Sequence, residues 1–269
     1  MPTSPDTLRT RSSLTEDLAH LGVDPGDTLL VHSSLRSLGW VCGGQEAVVQ
    51  ALTDAVGPHG TITVPTQCRE QSDPARWGDP PVPRKWWDTI RRSMPPYDPA
   101  RTPTTFMGRI PELLRTWPGA VRSDHPQTSF AALGPHAREL MYPHPLACRL
   151  GEQSPLGRLA RTDAKVLFLG TDYSTCTTFH LAEYRLPGAP TETEGASVRA
   201  PDHGTAWVTY TDVALQDEDF PHIGSAFERT GTVTIGRVGQ ALARLFPLSE
   251  AVDFATDWML SNRTTVPIT

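Results

Sequence analysis

The chain has 269 residues, 38% of them hydrophobic, enough to bury a sizeable core in one large α/β domain or two small ones. Its formal net charge of −6 argues against a nucleic-acid or anionic-membrane partner, and suits a soluble enzyme with a cationic substrate. The four cysteines, Cys42, Cys68, Cys148 and Cys176, form no CxxC pair, so neither a structural metal site nor a disulfide framework is expected, and a reducing cytoplasm is. The opening Met1–Asp6 has neither a basic n-region nor an apolar h-region, and no apolar run approaches the length of a membrane span.

Taken in order, Ser13-Leu-Thr-Glu16 reads as a capping box ahead of a helix on which Leu14, Leu18 and Leu21 share one side. Thr28–His32 is a buried strand that delivers the chain into a loop, His32–Gly44, rich in small and hydroxyl residues. Gln45–Val56 is an amphipathic helix, and Thr61–Pro65 is the next strand. That β–loop–α–β order predicts a parallel pair joined by a crossover. Residues 65–103 differ in kind. The chain holds 26 prolines, about twice the usual frequency, and their clustering here excludes long regular elements. Trp77, Trp86 and Trp87 would be costly to leave in water, so this stretch reads as a loop covering or lining a cleft.

Further on, a helix is expected over 105–117, a strand over 128–133, and short helices opening at Gly134 and at Ser154-Pro155. Lys165–Gly170 is an apolar run stopped by glycine, hence a buried strand. Ser174 or Thr175 is placed to cap the helix that follows, where His180 and Glu183 lie three residues apart and share one face. A strand, a polar loop and a helix carrying an imidazole and a carboxylate together form a familiar proton-transfer arrangement. Thr205–Val213 alternates as a half-exposed strand, Gln216–Asp219 reads as a solvated acidic turn, and 232–235 is a strand. Residues 238–246 and 250–260 read as closing helices. With no repeat and no clear linker, residues 1–269 form one domain.

Several constellations carry bland readings as well. The loop His32–Gly44 could hold phosphate or the amides of an extended ligand, but it is neither a GxGxxG nor a GxxxxGK[ST] motif, and a plain turn fits equally. A triad of Ser33 or Ser129 with His32 or His125 is conceivable, yet no GxSxG elbow is present. His125, held extended by Pro126, fits a loop-to-loop hydrogen bond better than catalysis. His136, His144, His203 and His222 are scattered, and no second histidine stands at zinc spacing from His180.

Four blocks, in order, carry a resemblance: Leu30-Val-His-Ser-Ser-Leu-Arg-Ser-Leu-Gly39 with Gly43-Gly44; Thr102-Pro-Thr-Thr-Phe-Met-Gly-Arg-Ile-Pro-Glu112; Arg122-Ser-Asp-His-Pro-Gln-Thr-Ser129 through Pro135; and Val166–Gly170 running on to Thr177-Thr-Phe-His-Leu-Ala-Glu183. Over roughly residues 10–260 the chain resembles the aminoglycoside 3-N-acetyltransferase family, which is distinct from GNAT-type enzymes. The resemblance implies a three-layer α/β/α sandwich around a mostly parallel or mixed sheet, with long elaborated loops. It implies acetyl-CoA as cosubstrate, no metal, and as acceptor the 3-amino group of the 2-deoxystreptamine ring of a small cationic aminoglycoside, giving antibiotic resistance. Ser33, Ser34, Leu35, Ser37, Thr105 and Met107 then line the coenzyme channel.

His180 becomes the general base and Glu183 its orienting carboxylate, with direct transfer in a ternary complex. Histidine is suited to take the proton because its unperturbed pKa lies at about 6.5. Glu70, Asp73 and Asp212 fall where the family places acidic substrate contacts. Asp172 lies two residues before Ser174, at which position relatives often carry an aspartate, and with His125 it completes the acceptor set. The alternatives are acetyl transfer to a different amine in metabolism or natural-product synthesis, a non-catalytic coenzyme-binding module, and a serine hydrolase. A monomer or a homodimer is expected.

Overall fold

The computed structural model describes residues 7–78, 80–201 and 204–263; His203 and the opening Met1–Asp6 lie outside them. The elements in chain order are α1 (Arg11–Leu21), β1 (Thr28–Ser33), α2 (Gly44–Val56), β2 (Thr61–Pro65), α3 (Trp87–Ser93), α4 (Arg109–Leu114), β3 (Val121–Arg122), β4 (Phe130–Leu133), α5 (Ala137–Met141) and α6 (Pro155–Leu159). After them come β5 (Lys165–Leu169), α7 (Thr177–Arg185), β6 (Thr191–Arg199), β7 (Thr205–Val213), α8 (Phe220–Glu228), β8 (Thr234–Val238), β9 (Ala241–Pro247) and α9 (Leu248–Asn262).

Seven strands form one mixed sheet in the order β3-β4-β2-β1-β5-β9-β8. Its heart, β2-β1-β5, is parallel, and the outer strands run antiparallel to their neighbours. Alternation along the buried strands splits the core in two. Leu29 and Val31 of β1 pack with Leu18, Val48, Leu52 and Leu114 on one face. Leu30 packs on the other face with Phe168, Phe179, Phe220, Phe246 and Val252. Helices therefore cover both faces, giving the expected three-layer α/β/α sandwich. The remaining two strands, β6 and β7, form a separate antiparallel hairpin.

Several local expectations are corrected. The capping box of α1 is reciprocal between Thr10 and Ser13, one turn earlier than Ser13–Glu16, because the Ser13 hydroxyl serves at N3 and returns a bond to the Thr10 N–H. The helix expected over 105–117 shrinks to α4, since Phe106 and Gly108 take positive φ and only Pro111, in the first turn, is tolerated inside. Residues 241–247 are strand β9, not helix. Gly239, at φ +59, opens a tight hairpin from β8, and Ala241, Ala243 and Leu245 then face the core at period two. Tertiary pairing with β5 overrides the helical preference of Ala, Leu and Arg here.

The helix α8 and strand β6 were not anticipated at all. The proline-rich stretch folds into short 3-10 turns plus α3, and it docks on the hairpin: Tyr97 N–H donates to Ser197 O (3.2 Å) and Ser197 Oγ to Met94 O (2.8 Å). Trp77 and Trp87 are half-buried, but Trp86 stays 50% exposed, contrary to the expectation for all three.

Candidate active site

The C-terminal ends of the three parallel strands converge, and a cavity of about 240 Å³ opens there. Its floor comes from His32 and Ser33 at the end of β1, Pro65 at the end of β2 with Gln67 beyond it, and Thr171 after β5. Ligands of open α/β sheets gather at this edge, because loops diverge there and backbone N–H groups are left to bind. One wall is the start of α7. Ser174, Thr175 and Thr177 line the cavity, followed by His180 one turn in, with Asp217 and Phe220 closing the side.

His180 is held rigidly. Its Nδ1 lies 2.8 Å from Glu183 Oε2, so Nδ1–H donates to the carboxylate and Nε2 is left with the free lone pair. The ring rests on Phe220, with centroids 4.8 Å apart. Glu183 is 2% exposed at its side chain against 16% for His180, so the carboxylate lies behind the imidazole as seen from the cavity. Its second oxygen accepts from Arg263 Nη1 (2.6 Å) and from the Gln216 N–H (2.9 Å), and Arg263 also pairs with Asp219 at 2.7 Å. A buried carboxylate needs such partners, since removing a charge from water is costly. The acidic turn 216–219 is thus part of the site, not merely solvated: Asp217 lines the cavity, and Asp219 and Gln216 fix the dyad from behind.

Of the residues expected to line a coenzyme channel, Ser33 and Met107 reach the cavity. The Ser33 Oγ and the His32 Nε2 are buried there without a partner, which fits a wall made for a polar ligand. Burial lowers the His32 pKa to about 4, so that ring is neutral at pH 7. Ser34, Leu35 and Ser37 lie one layer back. Ser37 Oγ donates to Ser34 Oγ (2.9 Å) and to Gly170 O (3.2 Å), while Leu35 packs on the core. Gly170 has φ +71, and a Cβ there would lie 2.2 Å from Ser37 Cβ, so only glycine lets this turn close over the end of β5. Thr105 donates to Glu70, whose carboxylate also lies 3.8 Å from the Cys68 thiol.

The acceptor set divides. Glu70 lines a second cavity described below. Asp172 is exposed and caps the turn Tyr173–Thr175 by accepting from the Ser174 N–H at 3.0 Å. The cap expected from Ser174 or Thr175 on α7 itself is absent, as Cys176 occupies the N-cap position. Asp73 is engaged by Arg91 at 2.8 Å.

Asp212 and His125 are corrected as acceptor contacts. Asp212 is buried under Arg149 (3.3 Å) and the Tyr184 hydroxyl (2.8 Å). His125 is fully buried, its Nδ1 accepting from the Gln127 and Thr128 N–H groups, and burial lowers its pKa to about 4. Sequence reasoning missed Arg263, Phe220 and Thr171. Only the nearness of Phe220 to the acidic turn was a signal, and Arg263 lies 80 positions from its partner Glu183 with none.

A family model described as aminoglycoside 3-N-acetyltransferase matches residues 30–260. The chain belongs to the aminoglycoside 3-N-acetyltransferase family. It is 50% identical to the SPbeta prophage-derived aminoglycoside N(3')-acetyltransferase-like protein YokD of Bacillus subtilis (strain 168), across 94% of this chain and 93% of that protein. The crystal structure of YokD superposes with a TM-score of 0.91 at 49% identity, covering 94% of this chain and 100% of that one. AAC-IIIb, solved as a binary complex with CoASH, gives a TM-score of 0.85 at 31% identity over 98% of this chain and 100% of that one. AAC-VIa bound to sisomicin gives 0.86 at 30% identity over 96% and 100%. Among the described residues no group of three or more His, Cys, Asp or Glu could hold a metal ion, and no helix is long and apolar enough to cross a membrane.

Proposed function

We propose that this family member transfers the acetyl group of acetyl-CoA to an amine, with the 3-amino group of a 2-deoxystreptamine aminoglycoside as acceptor, and so confers resistance. The observation that carries the reading is the His180–Glu183 pair, locked by Arg263, with His180 lining a cavity at the carboxyl edge of the parallel strands. The coenzyme supplies an activated thioester. An amine that is ammonium at neutral pH cannot attack it until it loses one proton to solvent, and His180 Nε2 then takes a second proton from the attacking nitrogen. The new N–C bond forms as the C–S bond breaks, and the departing sulfur recovers the proton from His180. Glu183, accepting from Nδ1–H, stabilises the imidazolium between those two moments. The unpartnered Ser33 hydroxyl is suited to bind the coenzyme arm, and Met107 to cover it.

Direct transfer is supported by the cysteines. Cys176, nearest in sequence to His180, is fully buried and burial pushes its thiol up to about 12, so it is no acyl carrier at neutral pH. The test is thiol release from acetyl-CoA in the presence of an aminoglycoside panel, with the product mass measured. Turnover of none of them removes the aminoglycoside acceptor. A second reading, another amine as acceptor, is favoured by how few carboxylates face the cavity: Asp217 is the one that lines it among the described residues.

A further inference from the structure

A second cavity, also of about 240 Å³, lies across Phe106 from the catalytic one, and that ring is a wall of both. Its other walls are Trp77, Pro80 and Val82, with Arg69 and Glu70 at the polar side. Phe106 is 78% exposed and has φ +60, the sole non-glycine residue with positive φ among those described. A bulky side chain in that region is held at a cost, and such outliers gather at ligand clamps. Trp77 is fixed by its own N–H, which donates to Ser72 Oγ at 3.1 Å.

Charge points the same way. Among the described residues two carboxylates, Asp217 and Glu70, line the two cavities, and Glu70 already accepts from Thr105 and shares its cavity with Arg69. Most acidic groups further round the site are spoken for, the exposed Asp172 excepted. Asp73 pairs with Arg91, Glu192 with Arg76 and Arg149, Glu194 and Asp212 with Arg149, and Asp219 with Arg263. The second cavity holds Glu70 as its one carboxylate among the described residues, and an apolar ring finds an aromatic and aliphatic slot there.

Resting on the acetyltransferase reading above, we infer that the Phe106–Trp77 cavity is an acceptor subsite for a flat apolar group, so that the acceptor range extends to primary amines carrying an aromatic ring and a single positive charge. The amine reaches His180 in one cavity while the ring lies in the other. The arrangement requires no chemistry beyond the proton and acetyl transfers already described.

The test measures kcat/KM with acetyl-CoA for phenyl-terminated primary alkylamines, the same alkylamines without the ring, and one aminoglycoside. The ring should raise kcat/KM by about tenfold or more, the size expected from burying an aromatic group. Trp77→Ala should lower the phenyl-to-alkyl ratio by about tenfold, and Trp77→Phe should restore it. Val82→Asp, which places a carboxylate in the slot, should move the ratio toward the aminoglycoside, a reversal that simple misfolding does not produce. Phe106→Gly suits the backbone at φ +60 and should lower the ratio by opening the shared wall. Aminoglycoside turnover with no gain from the phenyl ring, or a ratio unmoved by Trp77→Ala and Val82→Asp, overturns the subsite alone. Absence of turnover with every amine overturns the acetyltransferase reading and the subsite with it.

Discussion

Two clusters in this molecule use the same chemistry, an imidazole or guanidinium among carboxylates, to opposite ends. Around Arg149 the guanidinium reaches Glu192 (2.8 Å), Glu194 (3.0 Å) and Asp212 (3.3 Å), and so ties the hairpin β6–β7 to the body of the protein. Burial works against the charge, yet the bond to Glu192 and the field of Glu194 keep its pKa above the ordinary arginine value. Beside it the rings of His125 and His144 pack 4.7 Å apart, each with both nitrogens bonded within the protein. In the His180 cluster one nitrogen is left over, and the ring lines a cavity. A fully satisfied polar network fastens; one short by a single lone pair can act on something else.

The sharpest way to break this contrast is at His180. His180→Ala should lower turnover by about a hundredfold to ten-thousandfold while coenzyme affinity and thermal stability stay close to those of the parent. Unchanged turnover, measured by thiol release, removes the base from the mechanism. The opposite pattern is expected at the fastener. Arg149→Ala strips the guanidinium from the buried Glu194 and Asp212, leaves Glu192 with Arg76 alone, and should cost about 3–5 kcal/mol of stability. A urea-denaturation loss below about 1 kcal/mol would contradict a fastening role.

Acidification should likewise strike the enclosed rings. Burial holds the folded-state pKa of His32 and His125 at about 4, below the ordinary histidine value. Between about pH 6.5 and 4 the unfolded chain therefore binds protons that the folded chain does not, and stability falls as pH drops through that window. The slope is up to about 1.4 kcal/mol per pH unit for each ring. Equal urea midpoints at pH 7 and pH 5 would be the contrary result. The smallest effect belongs to Arg263→Ala, which leaves one oxygen of Glu183 with the Gln216 N–H alone. Turnover should drop on the order of tenfold, the worth of one charged hydrogen bond, with kcat affected more than KM. An altered KM at constant kcat would instead place Arg263 in binding.

Much of this contrast was legible in the residues. The apolar run before Gly170 and the i, i+3 pair on α7 located the dyad, because strand burial and helical periodicity are local properties. The parallel pairing of β1 with β2 likewise followed from the helix between them. Asp212 and His125 were less transparent. A carboxylate or imidazole in an alternating strand or a loop looks the same whether it faces a ligand or a buried arginine, and only the partner, Arg149 or Leu146, decides. Strand β9 was misread for a related reason: Ala241-Leu-Ala-Arg-Leu245 prefers a helix in isolation, and the free edge of β5 outweighs that preference.

By itself the sequence determined the layering, the strands that meet at the site, and the pairing of His180 with Glu183, since these depend on burial patterns and on residues a few positions apart. Tertiary structure alone decided which charges are spent within the protein, that Arg263 closes on Glu183, and that Phe106 divides two cavities. Those outcomes join groups far apart along the chain, and pairing at such separations is fixed by how the sheet and its loops pack, not by any local preference.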